Sequence, residues 1–269
     1  MANDLLLEIG TEELPASFVQ PALDQLKELF VTKARDARLG HGEVHVYGTP
    51  RRLALLVDGV EEGQADLTEE ILGPPVRVAY DAEGKPTQVA EKWAAGQKIP
   101  VANLKQKETP KGLYVYLERM EKGQAAAEVL PGLLASILKD LHFKKSMRWG
   151  WEEATFARPV QWICALLGEK TLEFGFADVK SGNVTHGHRF LAKKPIELEA
   201  PGQYLARLEE GHVIVDQARR QAMIKEVVAA EAATIGGRVL DDAELLETVT
   251  FLVENPSAVL GSFDADYLE

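Results

Sequence analysis

The stretch Leu5-Leu6-Leu7-Glu8-Ile9-Gly10, continued by Thr11-Glu12-Glu13-Leu14-Pro15, decides how this chain begins to fold. The first part is a short apolar run closed by a glycine, which predicts a buried β-strand. Proline is well suited to the first turn of a helix. Apolar side chains then recur at helical spacing, at Phe18, Ala22, Leu26, Leu29 and Phe30. The sequence therefore opens with a strand that is followed by a helix.

The next segments predict a strand pair and an insertion. Residues 44–47 and 52–57 read as two strands joined by a short turn at Gly48-Thr49-Pro50. Turn signals such as Gly73-Pro74-Pro75 interrupt the following segment, which carries a short predicted helix near residues 89–95. A stripe of leucine and isoleucine then predicts an amphipathic helix that ends near Leu141.

The remaining chain contains a further strand and two helices. Residues 160–167 are apolar and predict a strand, and the alternating residues 172–176 are expected to pair with it. Asp216 can cap one C-terminal helix, and Asp241 or Asp242 can cap the next.

These elements predict the α+β class, with mixed or antiparallel sheets and packed helices. We predict an N-terminal α+β domain interrupted by a small inserted subdomain, and then a separate C-terminal module. The predicted bounds are 1–61 plus 142–178 for the first domain, 62–141 for the insertion with its amphipathic helix, and 179–269 for the module.

Composition indicates a soluble cytoplasmic protein. The chain has 269 residues, of which 46% are hydrophobic, and its 30 basic and 42 acidic residues give a net charge of −12. The N-terminus carries acids where a secretory signal needs bases, and no apolar run approaches the roughly 20 residues of a membrane helix. Cys164 is the one cysteine, so an intramolecular disulfide is excluded.

The charge is distributed unevenly along the sequence. Residues 142–194 hold 9 basic and 5 acidic residues, whereas the segments before and after this block are both acidic. Three of the four tryptophans, Trp149, Trp151 and Trp162, also lie in the block. Basic and aromatic residues together suit a surface that binds polyanions and stacks bases. The alternative is that the tryptophans belong to the core and the lysines to a solvated rim.

Sequence patterns indicate no catalytic or metal site. Gly-rich phosphate loops and the Gly-x-Ser-x-Gly elbow are absent. Cys164 lies in an apolar strand and reads as a core residue, and His186 with His188 lacks a third metal ligand nearby. Glu12 and Glu13 suit the start of a helix, where acids interact favourably with the helix dipole.

Several arginines and lysines are candidates for phosphate binding. Arg51 and Arg52 follow the Gly-Thr-Pro turn, and Arg189 follows Thr185-His186-Gly187-His188. A guanidinium beside glycine at a turn can bind phosphate together with backbone amides. Pairing with the many acids of the chain explains these arginines equally well. The cluster Lys144, Lys145 and Arg148 favours binding more strongly, because no acid interrupts it.

Six segments occur in an order that resembles the β-subunit family of bacterial heterotetrameric glycyl-tRNA synthetase. They are LLLEIGTEELPA (5–16), GTPRRLA (48–54), KSMRWG (145–150), FARPVQWICALLG (156–168), SGNVTHGHRFL (181–191) and LLETVTFLVENPSAVLGSF (245–263). The resemblance implies an enzyme of two α and two β chains that joins glycine to its tRNA with ATP. It also implies that the catalytic core, with ATP and Mg, belongs to the α subunit, so no cofactor is expected in this chain.

The resemblance also implies that the chain is the N-terminal part of a longer subunit. Residues from about 180 onward resemble the start of the B3/B4 module of the phenylalanyl-tRNA synthetase β subunit. The sequence departs from the family pattern at Asn255, where tryptophan is frequent, and at His186, where arginine is frequent.

The predicted function is binding of glycine tRNA and docking of the α subunit, without catalysis by this chain. The alternatives are a scaffold with little RNA contact and a vestigial editing module. The predicted tRNA-binding residues are Arg51, Arg52, Lys144, Lys145, Arg148, Arg158 and Arg189.

Overall fold

A computed structural model describes residues 2–150 and 153–268 and has the predicted α+β class. Its strands are β1 (Asn3–Thr11), β2 (Val44–Thr49), β3 (Arg52–Val60), β4 (Leu67–Pro75), β5 (Lys105–Thr109), β6 (Gly112–Glu121), β7 (Val160–Leu167), β8 (Lys170–Thr171), β9 (Gly175–Phe176), β10 (Val179–Gly182), β11 (Val184–His186) and β12 (Pro195–Glu197). Its α-helices are α1 (Ala16–Asp36), α2 (Val76–Ala79), α3 (Gln88–Gly96), α4 (Ala126–Asp140), α5 (Tyr204–Glu210), α6 (Gln217–Thr234) and α7 (Ala243–Thr250). Within the described ranges, no helix has both the length and the apolar character that crossing a bilayer requires.

The main sheet is built around the opening strand. Its order is β2-β3-β1-β7-β10-β9, and β8 also pairs with β7. The pairs are antiparallel except for β10, which runs parallel to β7. The predicted strand followed by a helix is confirmed, and so is the tight connection between β2 and β3, where Thr49 pairs with Arg52.

The two faces of β1 bury different partners, because side chains alternate along a strand. Leu5, Leu7 and Ile9 belong to the larger apolar core, which also contains the buried side chains of α1 and α4. Leu6 lies in a second core with Tyr204 and other C-terminal residues. The sheet is therefore covered on both faces.

The C-terminal segment supplies the cover for the second face. Asp216 caps α6 by accepting hydrogen bonds from two backbone amides, and Asp242 caps α7, as the sequence predicted. The prediction that residues 172–176 pair with β7 was wrong beyond Leu172, whose backbone amide donates to the carbonyl of Ala165 at 2.9 Å. Lys170–Thr171 pairs with β7, whereas Gly175–Phe176 pairs with β10.

The chain forms two compact units, namely Met1–Gly63 with Ala125–Glu269, and Gln64–Gln124. The smaller unit has a sheet of order β4-β6-β5 and a small core around Ala79, Ala90 and Val115. It ends before α4, which the sequence analysis grouped with the insertion. Leu130, Leu134 and other apolar residues of α4 lie in the large core instead.

Candidate nucleic-acid interface

A buried ionic network lies on the second face of the main sheet. Arg52 donates hydrogen bonds to Glu8 (3.0 Å), to Glu254 (3.1 Å) and to the carbonyl of His186 (2.8 Å). Glu8 also accepts a bond of 3.2 Å from the indole Nε1 of Trp162. Because Glu254 follows α7, the network ties the first strand to the C-terminal segment.

The burial of Arg52 corrects its assignment as a tRNA contact. Its side chain is 0% exposed, so the guanidinium cannot reach an external phosphate. Burial by itself would lower the pKa of Arg52, but the carboxylates of Glu254 and Glu8 raise it above its ordinary value. Burial likewise opposes ionisation of Glu254, and Arg52 lowers the pKa of that carboxyl overall. The ion pair between Arg52 and Glu254 therefore keeps both side chains charged inside the protein.

Trp162 closes the network on its outer side. A β-carbon added to Gly10 would lie 1.9 Å from the indole Cε2, so only glycine on β1 leaves room for the ring. The side chain is 8% exposed. Arg51 and Arg52 each place the guanidinium carbon 5.6 Å from the ring centroid, within the range of cation–π attraction. Trp162 is therefore a packed residue, and its ring lies between the buried Arg52 and the adjacent Arg51.

An open cleft of about 480 Å³ lies over Trp162. Several separate segments contribute its walls, because the ends of β1, β2, β7 and β11 meet at this edge. Its cations are Arg51, Arg189 and Lys193, and its other lining residues are Glu12, Gln161, Trp162, His186, Gly187 and Ala192. Lys193 and Gln161 were not among the predicted tRNA-binding residues, although Lys193 lies beside Lys194 at the end of the basic block.

The segment after β11 holds Arg189 and Lys193 at the cleft. Gly187 packs against Gly211, and a β-carbon on Gly187 would lie 2.8 Å from the Gly211 carbonyl oxygen. The backbone amide of His188 donates to the same carbonyl at 2.8 Å. The glycine of the Thr-His-Gly-His stretch is therefore required for this close approach of two backbones.

The cations Arg51, Arg189 and Lys193 outnumber the carboxylates that line the cleft, and this excess of positive charge favours an anion. Arg189 lies 3.8 Å from Glu12 and 3.5 Å from Glu13, which are long contacts on half-exposed side chains. Burial lowers the pKa of Arg51, and the Nε of this residue is buried without a hydrogen-bond partner among the described residues. Burial also lowers the pKa of His186, so its imidazole is neutral at pH 7.

The basic cluster of residues 144–148 lies on a loop of its own. Lys144, Lys145 and Arg148 are all exposed. Phe143 packs against Phe156 with ring centroids 4.7 Å apart, and this contact anchors the loop to the large core. In the described ranges, no hydrogen bond, ion pair or ring contact links this cluster to the cleft.

The remaining aromatic and basic residues of the predicted surface do not line the cleft among the described residues. Trp149 is half-buried against the large core, 6.4 Å from Phe176, which favours the core interpretation of this tryptophan. Trp151 lies outside the described residues. Arg158 is half-buried and donates to the carbonyl of Ala157 at 2.9 Å.

The described residues do not assemble a nucleophilic site around Cys164. The thiol is buried, and burial raises its pKa, as expected for a core residue. Glu43, His45 and Asp58 have ligand atoms within 4.8 Å of one another at the exposed edge formed by β2 and β3, and they could hold a cation. These three residues were not among the predicted site residues.

Comparison with known proteins shows which family the chain belongs to. The model of the family described as "Glycyl-tRNA synthetase beta subunit" matches residues 5–269. The chain belongs to the glycyl-tRNA synthetase β-subunit family. It is 48% identical to the glycine–tRNA ligase beta subunit of Myxococcus xanthus and 44% identical to that of Moorella thermoacetica, over 269 residues in both cases. These alignments cover 100% of this chain but only 38% and 39% of the relatives, so the chain spans less than half their length.

Five of the six segments that resemble the glycyl-tRNA synthetase β-subunit family converge on the cleft and its network. They contribute Glu8 and Glu12, Arg51 and Arg52, Trp162, His186 and Arg189, and Glu254. The segment at residues 145–150 supplies no residue to the lining of the cleft, and its Met147 instead exchanges backbone hydrogen bonds with Phe156 (2.8 and 3.2 Å). The cleft is therefore the place where most of the resemblance meets in space.

Proposed function

We propose that this chain provides an RNA-binding surface of a glycine–tRNA ligase and that the cleft binds the phosphate backbone of glycine tRNA. The observation that supports this proposal is the convergence of Arg51, Arg189 and Lys193 on one open cleft. Guanidinium groups match phosphate geometry with paired donors, and a lysine adds a point charge. The subunit name of the relatives supplies the RNA class.

The glutamates beside Arg189 do not prevent this role. Exposed ion pairs contribute about 0–1 kcal/mol each, so a phosphate can replace Glu12 and Glu13 as the partner of Arg189. In the absence of RNA, the same glutamates hold the arginine side chain near the cleft. Lys193 is exposed and lines the same cleft as Arg189.

A combined variant with Arg51→Gln, Arg189→Gln and Lys193→Gln tests the cleft. We expect weaker tRNA binding, and a dependence of log K on log salt that becomes shallower by about two to three units, because each lost phosphate contact removes about 0.7–0.9. The matched control replaces the exposed residues Lys27, Lys92 and Lys170 with glutamine, which changes the net charge equally. Equal slopes for both variants would show that only the total charge matters.

The loop with Lys144, Lys145 and Arg148 is proposed as a second, separate contact. All three side chains are exposed and come from one short segment. Their joint replacement by alanine is expected to reduce the salt slope by up to about three units. If the slope stays unchanged while the cleft variant lowers it, the loop is a solvated rim.

We propose that the chemistry takes place on the α subunit, which would hold ATP and Mg²⁺, in an assembly of two α and two β chains. Carboxylates commonly hold Mg²⁺ in nucleotide sites. Among the described residues that line the cleft, Glu12 is the one carboxylate, and the cations Arg51, Arg189 and Lys193 beside it disfavour a bound Mg²⁺. The 269-residue chain alone is expected to show no ATP–pyrophosphate exchange, and exchange above background would overturn this assignment.

An apolar groove between α6 and α7 favours docking of the α subunit as a second candidate function. The groove has a volume of about 380 Å³, and its residues Leu240 and Leu245 are 73% and 57% exposed. Leu245→Glu is expected to abolish co-elution with separately expressed α subunit, while Glu244→Lys on the same helix serves as the control. Co-elution that survives Leu245→Glu would place the docking surface elsewhere.

A further inference from the structure

We propose that Phe190 is a stacking platform for an unpaired RNA base at the rim of the cleft. The proposal rests on the proposed function, because the cleft must first bind the adjoining phosphates. It goes further by naming a single-stranded nucleotide as the ligand, and by assigning a role to an aromatic side chain that the charge analysis did not identify.

The first observation is the exposure of the ring. Phe190 is 75% exposed, and the neighbouring Leu191 is 55% exposed. Burying a phenylalanine side chain stabilises a protein by roughly 1.5–3 kcal/mol, so a large aromatic left in water gains nothing for folding at this position. Phe143, by contrast, packs against Phe156 and the core. A ligand that covers the exposed ring would recover part of this energy.

The second observation is that the turn carrying Phe190 is held in place. The Nδ1 of His188 accepts hydrogen bonds from the amides of Phe190 (3.3 Å) and Leu191 (3.4 Å). The amide of Ala192 donates to the carbonyl of His188 at 2.9 Å. A preorganised turn lowers the ordering cost of binding.

The third observation is the position of the cations. Arg189 directly precedes Phe190, and Lys193 follows three residues later, and both of them line the cleft. The His188 ring centroid lies 6.1 Å from that of Phe190, so a second flat side chain adjoins the platform. Phosphates bound by the cations would place an adjacent base within reach of the exposed ring.

These observations favour an unpaired nucleotide. Bases inside a duplex are stacked on one another, so their faces are not available to a protein side chain. An unpaired base can stack on an aromatic ring regardless of its identity, because every base has a π-face. A protein partner would use the apolar area of Phe190 and Leu191 without requiring an aromatic ring.

The test uses two fluorescent eight-residue probes, an oligoadenylate RNA and an abasic ribose-phosphate strand of the same length. The 269-residue chain is compared with Phe190→Leu, which keeps an apolar side chain, and with Phe190→Tyr, which keeps the ring. Urea unfolding of each variant checks that the fold is retained. We expect the wild-type chain to prefer the RNA, Phe190→Leu to bind it about fivefold to tenfold more weakly, and Phe190→Tyr to bind it as the wild type does.

Affinity for the abasic strand separates the two proposals. Unchanged abasic binding in Phe190→Leu, together with loss of the preference for bases, supports the platform. Equal wild-type affinity for both probes, or equal loss of both in Phe190→Leu, overturns the platform while phosphate binding at the cleft stands. If the wild-type chain binds neither probe, both the platform and phosphate binding at the cleft are refuted.

Discussion

Replacement by glutamine should affect different properties at the neighbouring residues Arg51 and Arg52, namely RNA affinity at Arg51 and stability at Arg52. Arg52→Gln removes the cation from a site where its side chain and that of Glu8 are both 0% exposed. Glu8 and Glu254 then stay buried, with Trp162 and Thr49 as weaker donors among the described residues. Removing one partner of a buried ion pair costs about 3–5 kcal/mol, because the remaining charge is uncompensated.

We therefore expect Arg52→Gln to lower the free energy of unfolding by about 3–5 kcal/mol at pH 7. Arg51→Gln is the matched control, because this side chain lines the open cleft. It should cost less than about 1 kcal/mol and should reduce RNA affinity instead. Urea unfolding followed by tryptophan fluorescence measures the first quantity, and titration with labelled tRNA measures the second.

The dependence on pH gives an independent check of the reasoning. In Arg52→Gln, Glu254 stays buried without its cation, and because burial raises the pKa of a carboxyl, acidification favours the neutral form of Glu254. The stability difference between wild type and variant should then shrink between pH 7 and pH 5. An Arg52→Gln variant that loses less than about 1 kcal/mol, or whose deficit stays constant over this range, would refute the assignment of Arg52 to a buried network.

Further predictions concern packing and titration near the cleft. Gly10→Ala would push a β-carbon into the ring of Trp162 and should cost about 1–3 kcal/mol with a shifted emission spectrum, whereas Gly132→Ala on α4, which meets nothing within 4 Å, should be neutral or stabilising. Because the pKa of His186 is lowered in the folded protein, the unfolded chain binds this proton at higher pH than the folded chain does. Neutral His186 therefore contributes fully to the free energy of unfolding above about pH 6.5, and this contribution is lost as the pH falls below that value. The urea midpoint of the wild type should fall between pH 7.5 and pH 5.5, and it should fall less in His186→Asn. An equal fall of the midpoint in both proteins would contradict this role of His186. The lowered pKa of Glu254 predicts a second loss at lower pH, below about 4.3, which Glu254→Gln should remove.

Local sequence patterns predicted most of the regular structure for identifiable reasons. The strand at residues 160–167 and the helix caps at Asp216 and Asp242 depend on neighbouring residues, and the structure confirms them. The predicted pairing of residues 172–176 with β7 was wrong beyond Leu172, because the parallel strand β10 takes the place beside β7. A parallel neighbour that arrives from later in the chain leaves no signal in the local periodicity.

The sequence by itself determined the α+β class, the basic block, the family resemblance and two of the cleft cations, Arg51 and Arg189. Only the tertiary structure decided that Arg51 lines a cleft while Arg52 is buried, although the two residues are adjacent. Arg51 lies in the turn before β3, whereas Arg52 is the first residue of that strand and donates to Glu254, 202 positions away. Charge and turn chemistry are local properties that a sequence displays directly. Burial depends on which distant segment covers each face, and that is fixed only when the chain has folded.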